Sequence, residues 1–289
     1  MLTSYEEILN HYKYSSNPYE YLWIYYLKGT LKLKETLKNS FIGNWEEDGF
    51  SFLFFSEPSD QIVERIIAED RDLELIDKYE MTGEAWHGEP IESYRSGIFC
   101  ISPPWKIPYI NEPNLKHILL DPCVVFGTGR HPTTEDCLKY IEYLCSNEQI
   151  ETVIDIGTGT GLLAIAAAMA GCKKILAIDF NLLAVKTAQN NIKLNSLEDK
   201  ILAVQARGED FILIPSDLLI ANIHYDVMRH LLENPHFLDH KWFILSGLLK
   251  SEVNKVIDKL NQKNIRIVEI SSKEGVWNTI LAEYSTYRI

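Results

Sequence analysis

Beyond residue 119, short continuous apolar runs alternate with longer stretches in which apolar residues recur at helical spacing. The runs are "TVIDI" (152–156), "KILAID" (174–179), "KILAVQA" (200–206), "DLLIANI" (217–223) and "WFILSGLL" (242–249). Runs of this kind fill a parallel sheet buried on both faces. The stretches "LLAIAAAMA", "LLAVKTAQNNIKLN" and "KSEVNKVIDKLNQK" separate them as helices. Two further strands, "IRIVEISS" and "WNTILAEY", close the chain around the turn-prone "KEG". The pattern predicts a doubly wound α/β domain with a hairpin at its C-terminal edge.

Residues 1–80 carry a different rhythm. "PYEYLWIYYL" is a strand rich in aromatic and β-branched residues, and "KLKETLKNSF" follows as a short helix. "FIGNWEEDGFSFLFF" places Asp-Gly between two apolar runs, a hairpin signal. "PSDQIVERIIAED" is helical and "DLELIDKY" alternates as a strand. The order β-α-β-β-α-β predicts a ferredoxin-like α+β unit. Between the two regions, "GEP", "PPWKIP" and "NEPN" concentrate prolines into a semi-rigid connector. Three segments result: an N-terminal domain at 1–80, a connector at 81–118 and the α/β domain at 119–289.

Composition adds exclusions. The apolar share of 46% with 24% charged residues is that of a globular chain. "LLAIAAAMAGC" is too short to span a bilayer, and the N-terminus has neither a basic start nor an apolar signal core. Cys100, Cys123, Cys137, Cys145 and Cys172 form no CxxC pair, which argues against a disulfide framework or a zinc site. A cytoplasmic protein without metal is expected. Net charge is −13, and Glu46 to Glu92 alone holds fifteen acids against three bases, a net of −12. Such a stretch is a solvated face or a surface that attracts a basic partner. It would repel a nucleic-acid backbone.

The candidate chemistry starts at "DIGTGTG" (155–161), a glycine loop between a strand and a helix. In this sheet class the ligand crevice lies at the carboxyl end of that strand. Gly157, Gly159 and Gly161 let a ligand lie close on the backbone. A dinucleotide fingerprint would want glycine three residues after Gly159, where Leu162 stands, and no G-K-[ST] follows for a nucleoside triphosphate. Asp155 beside the loop would repel a pyrophosphate and attract a cation. S-adenosylmethionine carries an ammonium and a sulfonium and no phosphate. Asp179, at the end of the next strand, is placed to accept hydrogen bonds from ribose hydroxyls.

The combination of "FGTGRHPTT", "VIDIGTGTGLLAIAA", "AID" and "ANI" resembles the methyltransferase of large-subunit ribosomal protein eleven, the PrmA family. The likeness runs from about Gly97 to the C-terminus. It implies a Rossmann-like class I methyltransferase sheet behind an N-terminal ferredoxin-like domain that holds a protein substrate. It also implies that Thr134, Gly157, Asp179 and Asn222 contact S-adenosylmethionine, with Phe126, Gly127 and Thr128 in a loop, 126–133, over its methionine end. The chain departs from the family pattern at Cys123 and Arg130, where glycine and threonine are usual, and at "NIHYDV" after Asn222.

The implied function is S-adenosylmethionine-dependent N-methylation of lysine or α-amino groups, with a basic, ribosomal protein as partner and neither nucleic acid nor membrane. "NIHY" lacks the prolines of the N-P-P-Y signature, which disfavours amide or base-amine acceptors. Methyl transfer needs alignment and water exclusion more than a covalent intermediate. Asn222 would accept a hydrogen bond from the amine, while His224 and Tyr225 would line the pocket or relay its proton. His224 is equally compatible with a packing or surface role. His131 shapes its loop, and Trp86 and Trp105 pack between domains. A small-molecule N-methyltransferase and a silent cofactor-binding scaffold are the competing classes.

Overall fold

The computed structural model describes residues 16–31, 40–273 and 275–284. Its N-terminal unit contains β1 (Leu22–Lys28), β2 (Phe41–Glu47), β3 (Phe50–Phe55), α1 (Asp60–Glu69) and β4 (Glu74–Met81). These strands form an antiparallel sheet of order β2-β3-β1-β4, the order that a split βαβ unit produces. Asp48 and Gly49 turn β2 into β3 with φ of 49° and 83°. Two consecutive positive values match the twist of a tight hairpin, which is why Asp-Gly is selected there. The helix expected at "KLKETLKNSF" falls mainly on residues 32–39, outside the described residues.

Residues 81–118 carry more order than a proline-dense connector suggests. The helical turn α2 (Gly83–His87) precedes β5 (Tyr94–Ser96), β6 (Phe99–Ser102) and β7 (Lys116–Leu119), which form a small sheet. Phe99, Ile101 and Ile118 are buried in the main core. The prolines fall in the connections, where a missing N–H costs no ladder bond. An unanticipated helix, α3 (Pro132–Asn147), follows. Its buried face includes Thr133, Thr134 and Asp136, polar residues that blur the helical stripe in the sequence.

The main sheet follows. Its elements are β8 (Thr152–Ile156), α4 (Leu162–Ala170), β9 (Lys174–Asp179), α5 (Leu182–Leu194), β10 (Ile201–Gln205) and α6 (Gly208–Phe211). They continue with β11 (Ser216–Asn222), α7 (Tyr225–Glu233), β12 (His240–Leu249), α8 (Lys250–Gln262), β13 (Arg266–Lys273) and β14 (Trp277–Glu283). The strands, with α4, α5 and α8, build as the periodicity predicts, while α6 and α7 lie outside that prediction. Strand order is β10-β9-β8-β11-β12-β14-β13, with β14 antiparallel to both neighbours. Helix α4 is apolar all round because it packs against α3, α5 and the sheet. Among the described residues no helix is long and apolar enough to cross a membrane, and no cluster of metal-ligating groups occurs.

The N-terminal sheet packs on α5 and on the loop at Val124 and Val125 through a shared apolar cluster. Tyr19, Leu22, Ile24 and Phe54 pack with Val124, Val125, Leu183 and Ala184. Gly43 lies so close to α5 that a Cβ there would stand 2.4 Å from a Leu183 methyl group. Trp86 packs edge-on to Phe54 at 5.0 Å and Trp105 to Tyr19 at 5.7 Å, the packing role expected of both.

Candidate active site at the switch point of the sheet

β8 pairs with β9 on one side and β11 on the other, so the sheet reverses its direction of growth there. The crevice outside the carboxyl ends at such a point is where open α/β sheets bind ligands. The loop that leaves β8 holds Gly157, Gly159 and Gly161 at φ of 72°, 55° and 83°, conformations that side chains resist. A Cβ on Gly159 would also stand 2.7 Å from the carbonyl oxygen of Phe126. Four of the loop's N–H groups are spent inside the protein. Gly157 and Thr158 both donate to the Ile178 carbonyl (2.8 and 2.9 Å), Gly159 to Asp179 Oδ2 (3.0 Å) and Gly161 to the Thr158 carbonyl (2.9 Å). A loop built for phosphate aims those groups at the ligand instead.

The two acids have separate tasks. Asp155 is buried, and its Oδ2 accepts from the Thr158 hydroxyl at 2.6 Å. Burial pushes its carboxyl up to about 6, against the hydrogen bonds from Thr158 and the Ala164 amide. It therefore shapes the loop from behind. Asp179 ends β9 and accepts from Gly159 N and, through Oδ1, from Asn181 N at 2.9 Å. Burial raises its pKa as well. The Phe180 amide adds a third donor, and the carboxylate keeps acceptor capacity for a further one.

The segment before α3 folds over this loop. Thr160 Oγ1 donates to the Gly127 carbonyl at 2.7 Å, and Phe126 extends an exposed ring. The Thr128 hydroxyl donates to Glu89 of the connector. Cys123 adopts φ of 51°, the left-handed region, which accounts for glycine being usual at this position in the resembling family. Arg130 does not point a cation across the loop. Its guanidinium lies 5.2 Å over the Tyr94 ring and donates to the Glu92 and Ser93 carbonyls. His131 caps α3 and is wedged between Phe126 and Trp277, with ring centroids at 5.5 and 4.9 Å.

Thr134 and Asn222 come together from 88 residues apart, Asn222 Nδ2 donating to Thr134 Oγ1 at 3.3 Å. This leaves Asn222 Oδ1 as an acceptor at the end of β11. Ile223 abuts the glycine loop, where a Cβ on Gly157 would meet its methyl at 2.3 Å. His224 begins α7 with an exposed side chain that caps nothing. Tyr225 packs on the core beneath the Lys255 ammonium, 5.2 Å from its ring centroid. The geometry joins the glycine loop, Phe126–Thr128, Thr134, Asp179 and Asn222, and gives Tyr225 a packing role. Sequence reasoning missed Phe180, an exposed ring directly after Asp179, and Trp277 against His131. Phe180 was visible as an aromatic just past a strand-ending acid. Trp277 had no local signal.

A seven-stranded sheet with one antiparallel strand, and a glycine loop with strand-ending acids at its switch point, define a Rossmann-like class I methyltransferase fold. Residues 59–284 match the family model described as "Ribosomal protein L11 methyltransferase (PrmA)". The chain belongs to that family. A ribosomal protein L11 methyltransferase of Exiguobacterium sibiricum is 31% identical over 249 residues, covering 80% of this chain and 77% of its own length. Relatives of the same name from Bacillus pumilus and Desulforamulus reducens are 36% and 34% identical, over 64% and 63% of this chain. The matched segment spans only 59% and 58% of their lengths. The crystal structure of the ribosomal protein L11 methylase of Lactobacillus delbrueckii subsp. bulgaricus superposes with a TM-score of 0.60. Its sequence identity is 27%, covering 66% of this chain and 98% of that one.

Proposed function

We propose that the chain transfers a methyl group from S-adenosylmethionine to an amine of a basic protein, a ribosomal protein homologous to the one its relatives are named for. The observation that carries this reading is the glycine loop with four of its N–H groups spent internally, at Gly157, Thr158, Gly159 and Gly161, beside Asp179. Such a site suits a ligand that offers hydroxyls and positive charge, and does not suit one that offers phosphates. Asp179 would hold the ribose hydroxyls, with the exposed Phe180 ring beside it as an apolar face for the base. Bound there, the cofactor supplies an electrophilic methyl on a sulfonium.

The chain's own contribution is alignment and exclusion of water. Asn222 Oδ1 would orient the acceptor amine, and Phe126 and the loop behind it would cover the reacting end. The amine must arrive neutral, which desolvation beside a sulfonium favours. Residues 1–80, with their acidic surface, would hold the acceptor, residues 81–118 would connect, and 119–289 would carry the chemistry. Five free cysteines suit a reducing cytoplasm.

Labelled methyl transfer from S-adenosylmethionine into the proteins of an extract lacking this enzyme tests the reading. One small, basic ribosomal protein is expected to take the label, and Asp179→Ala is expected to abolish it. Binding of the cofactor without label in any protein would overturn the protein-acceptor reading.

A further inference from the structure

The segment that runs from β4 into β5 touches the cofactor loop at Thr128–Arg130 and the stretch leading into it at Cys123 and Val124. Trp86 Nε1 donates to the Val124 carbonyl at 3.0 Å, and His87 Nε2 meets the Cys123 carbonyl at 3.1 Å. Glu89 accepts from the Thr128 hydroxyl, and Tyr94 donates from its own hydroxyl to the Thr128 carbonyl at 3.3 Å. The Tyr94 hydroxyl also fills the open side of Gly129, where a Cβ would come within 1.7 Å of it. Arg130 closes the contact by stacking over the Tyr94 ring.

The inner side of the same loop rests on the glycine loop. Thr160 bonds the Gly127 carbonyl, and Gly159 has no room for a side chain because the Phe126 carbonyl is there. Phe126–Arg130 is thus held between the connector and the cofactor site. Its position over the site is set by whatever holds its outer face. Thr128 sits at the centre, with both its hydroxyl and its carbonyl engaged by the connector.

We propose that the connector is a strap that holds the loop closed over the methyl donor, with Glu89 and Tyr94 as positioning residues acting through Thr128. The inference rests on the cofactor reading above. It assigns to Thr128 a role the resemblance does not: its polar groups serve the strap and leave the cofactor to its neighbours. Glu89 is needed for its acceptor oxygen, and a glutamine, which keeps one, can replace it. Losing one such hydrogen bond weakens closure by roughly three- to tenfold.

Titration calorimetry with S-adenosylhomocysteine on the full chain tests this. Glu89→Ala and Thr128→Val are each expected to raise Kd by roughly three- to tenfold. Glu89→Gln is expected to restore most of the loss. The double variant is expected to bind no worse than either single one, because both remove the same bond. Tyr94→Phe, which keeps the ring under Arg130 and loses only the hydroxyl, is expected to raise the cofactor KM with kcat at saturation unchanged.

Additive losses in the double variant would mean that Thr128 meets the cofactor itself, and would overturn the strap. So would wild-type affinity in Glu89→Ala and Tyr94→Phe. Failure of the wild-type chain to bind S-adenosylhomocysteine would overturn the cofactor reading, and the strap with it.

Discussion

Asp155 and Asp179 lie at the carboxyl ends of neighbouring strands, one residue before the end of β8 and at the end of β9, and each is turned to a different use by what its oxygens meet. Asp155 faces inward to the Thr158 hydroxyl, and burial lifts its pKa to about 6 from the ordinary carboxylate value. The folded chain therefore keeps this proton between about pH 4 and 6, where the unfolded chain has lost it. Stability contributed by the protonated form is present at about pH 4 and is lost as pH rises through 6. An Asp155→Asn variant lacks that dependence. Urea unfolding of the two proteins is expected to show the variant gaining, relative to wild type, on the order of 2–3 kcal/mol between about pH 4 and 7. Parallel profiles would mean that Asp155 ionises freely in the folded state. Both acids were legible in the sequence, because an aspartate at or near the end of a short apolar strand, in Asp155's case just before a glycine turn, is a local pattern. The inward turn of Asp155 was not, since it depends on a hydroxyl and an amide presented by the folded loop.

At the scale of elements, α5 does more than cover the sheet. Asn191 is fully buried on its inner face. Its Oδ1 accepts from Asp121 N at 2.8 Å, and its Nδ2 donates to the Asp121 carbonyl (2.9 Å) and the Thr160 carbonyl (2.8 Å). One amide thus ties the approach to the cofactor loop, the glycine loop and the helix together. Asn191→Ala leaves those backbone groups buried without partners, each costing about 1–3 kcal/mol. A loss of at least about 2 kcal/mol in unfolding free energy is expected by chemical denaturation. An effect under about 0.5 kcal/mol, the level of an ordinary surface change, would show that water replaces the amide. The helix itself was plain from its apolar spacing. Asn191 looked like one polar residue among several in "AQNNIK", because its partners lie 70 and 31 residues away. Helix α3 escaped for a related reason, its buried face being built partly from threonines and an aspartate that other segments satisfy.

For the molecule as a whole, most of the charge lies away from the site, Glu89 and Glu92 of the connector being the exceptions. The net −12 between Glu46 and Glu92 falls on the N-terminal sheet and the start of the connector, while the rest of the chain is nearly balanced. If that surface draws a basic acceptor, raising ionic strength from about 50 to 300 mM screens the attraction. Methyl transfer to the protein acceptor is then expected to lose several-fold in kcat/KM. Calorimetric affinity for S-adenosylhomocysteine, which meets the other unit, is expected to stay constant. An acceptor KM insensitive to salt would leave the acidic face as a solvated surface only. The sequence by itself determined the strands of the main sheet and the helices α4, α5 and α8, the hairpin at Asp48-Gly49, the glycine loop and the two acids. All of these rest on apolar period or on backbone conformations that only neighbouring residues need to satisfy. Only the tertiary structure decided that Thr134 meets Asn222, that His131 lies against Trp277 and that Tyr94 and Glu89 grip Thr128. Those contacts join residues 34 to 146 positions apart, and no local preference of either partner encodes the other.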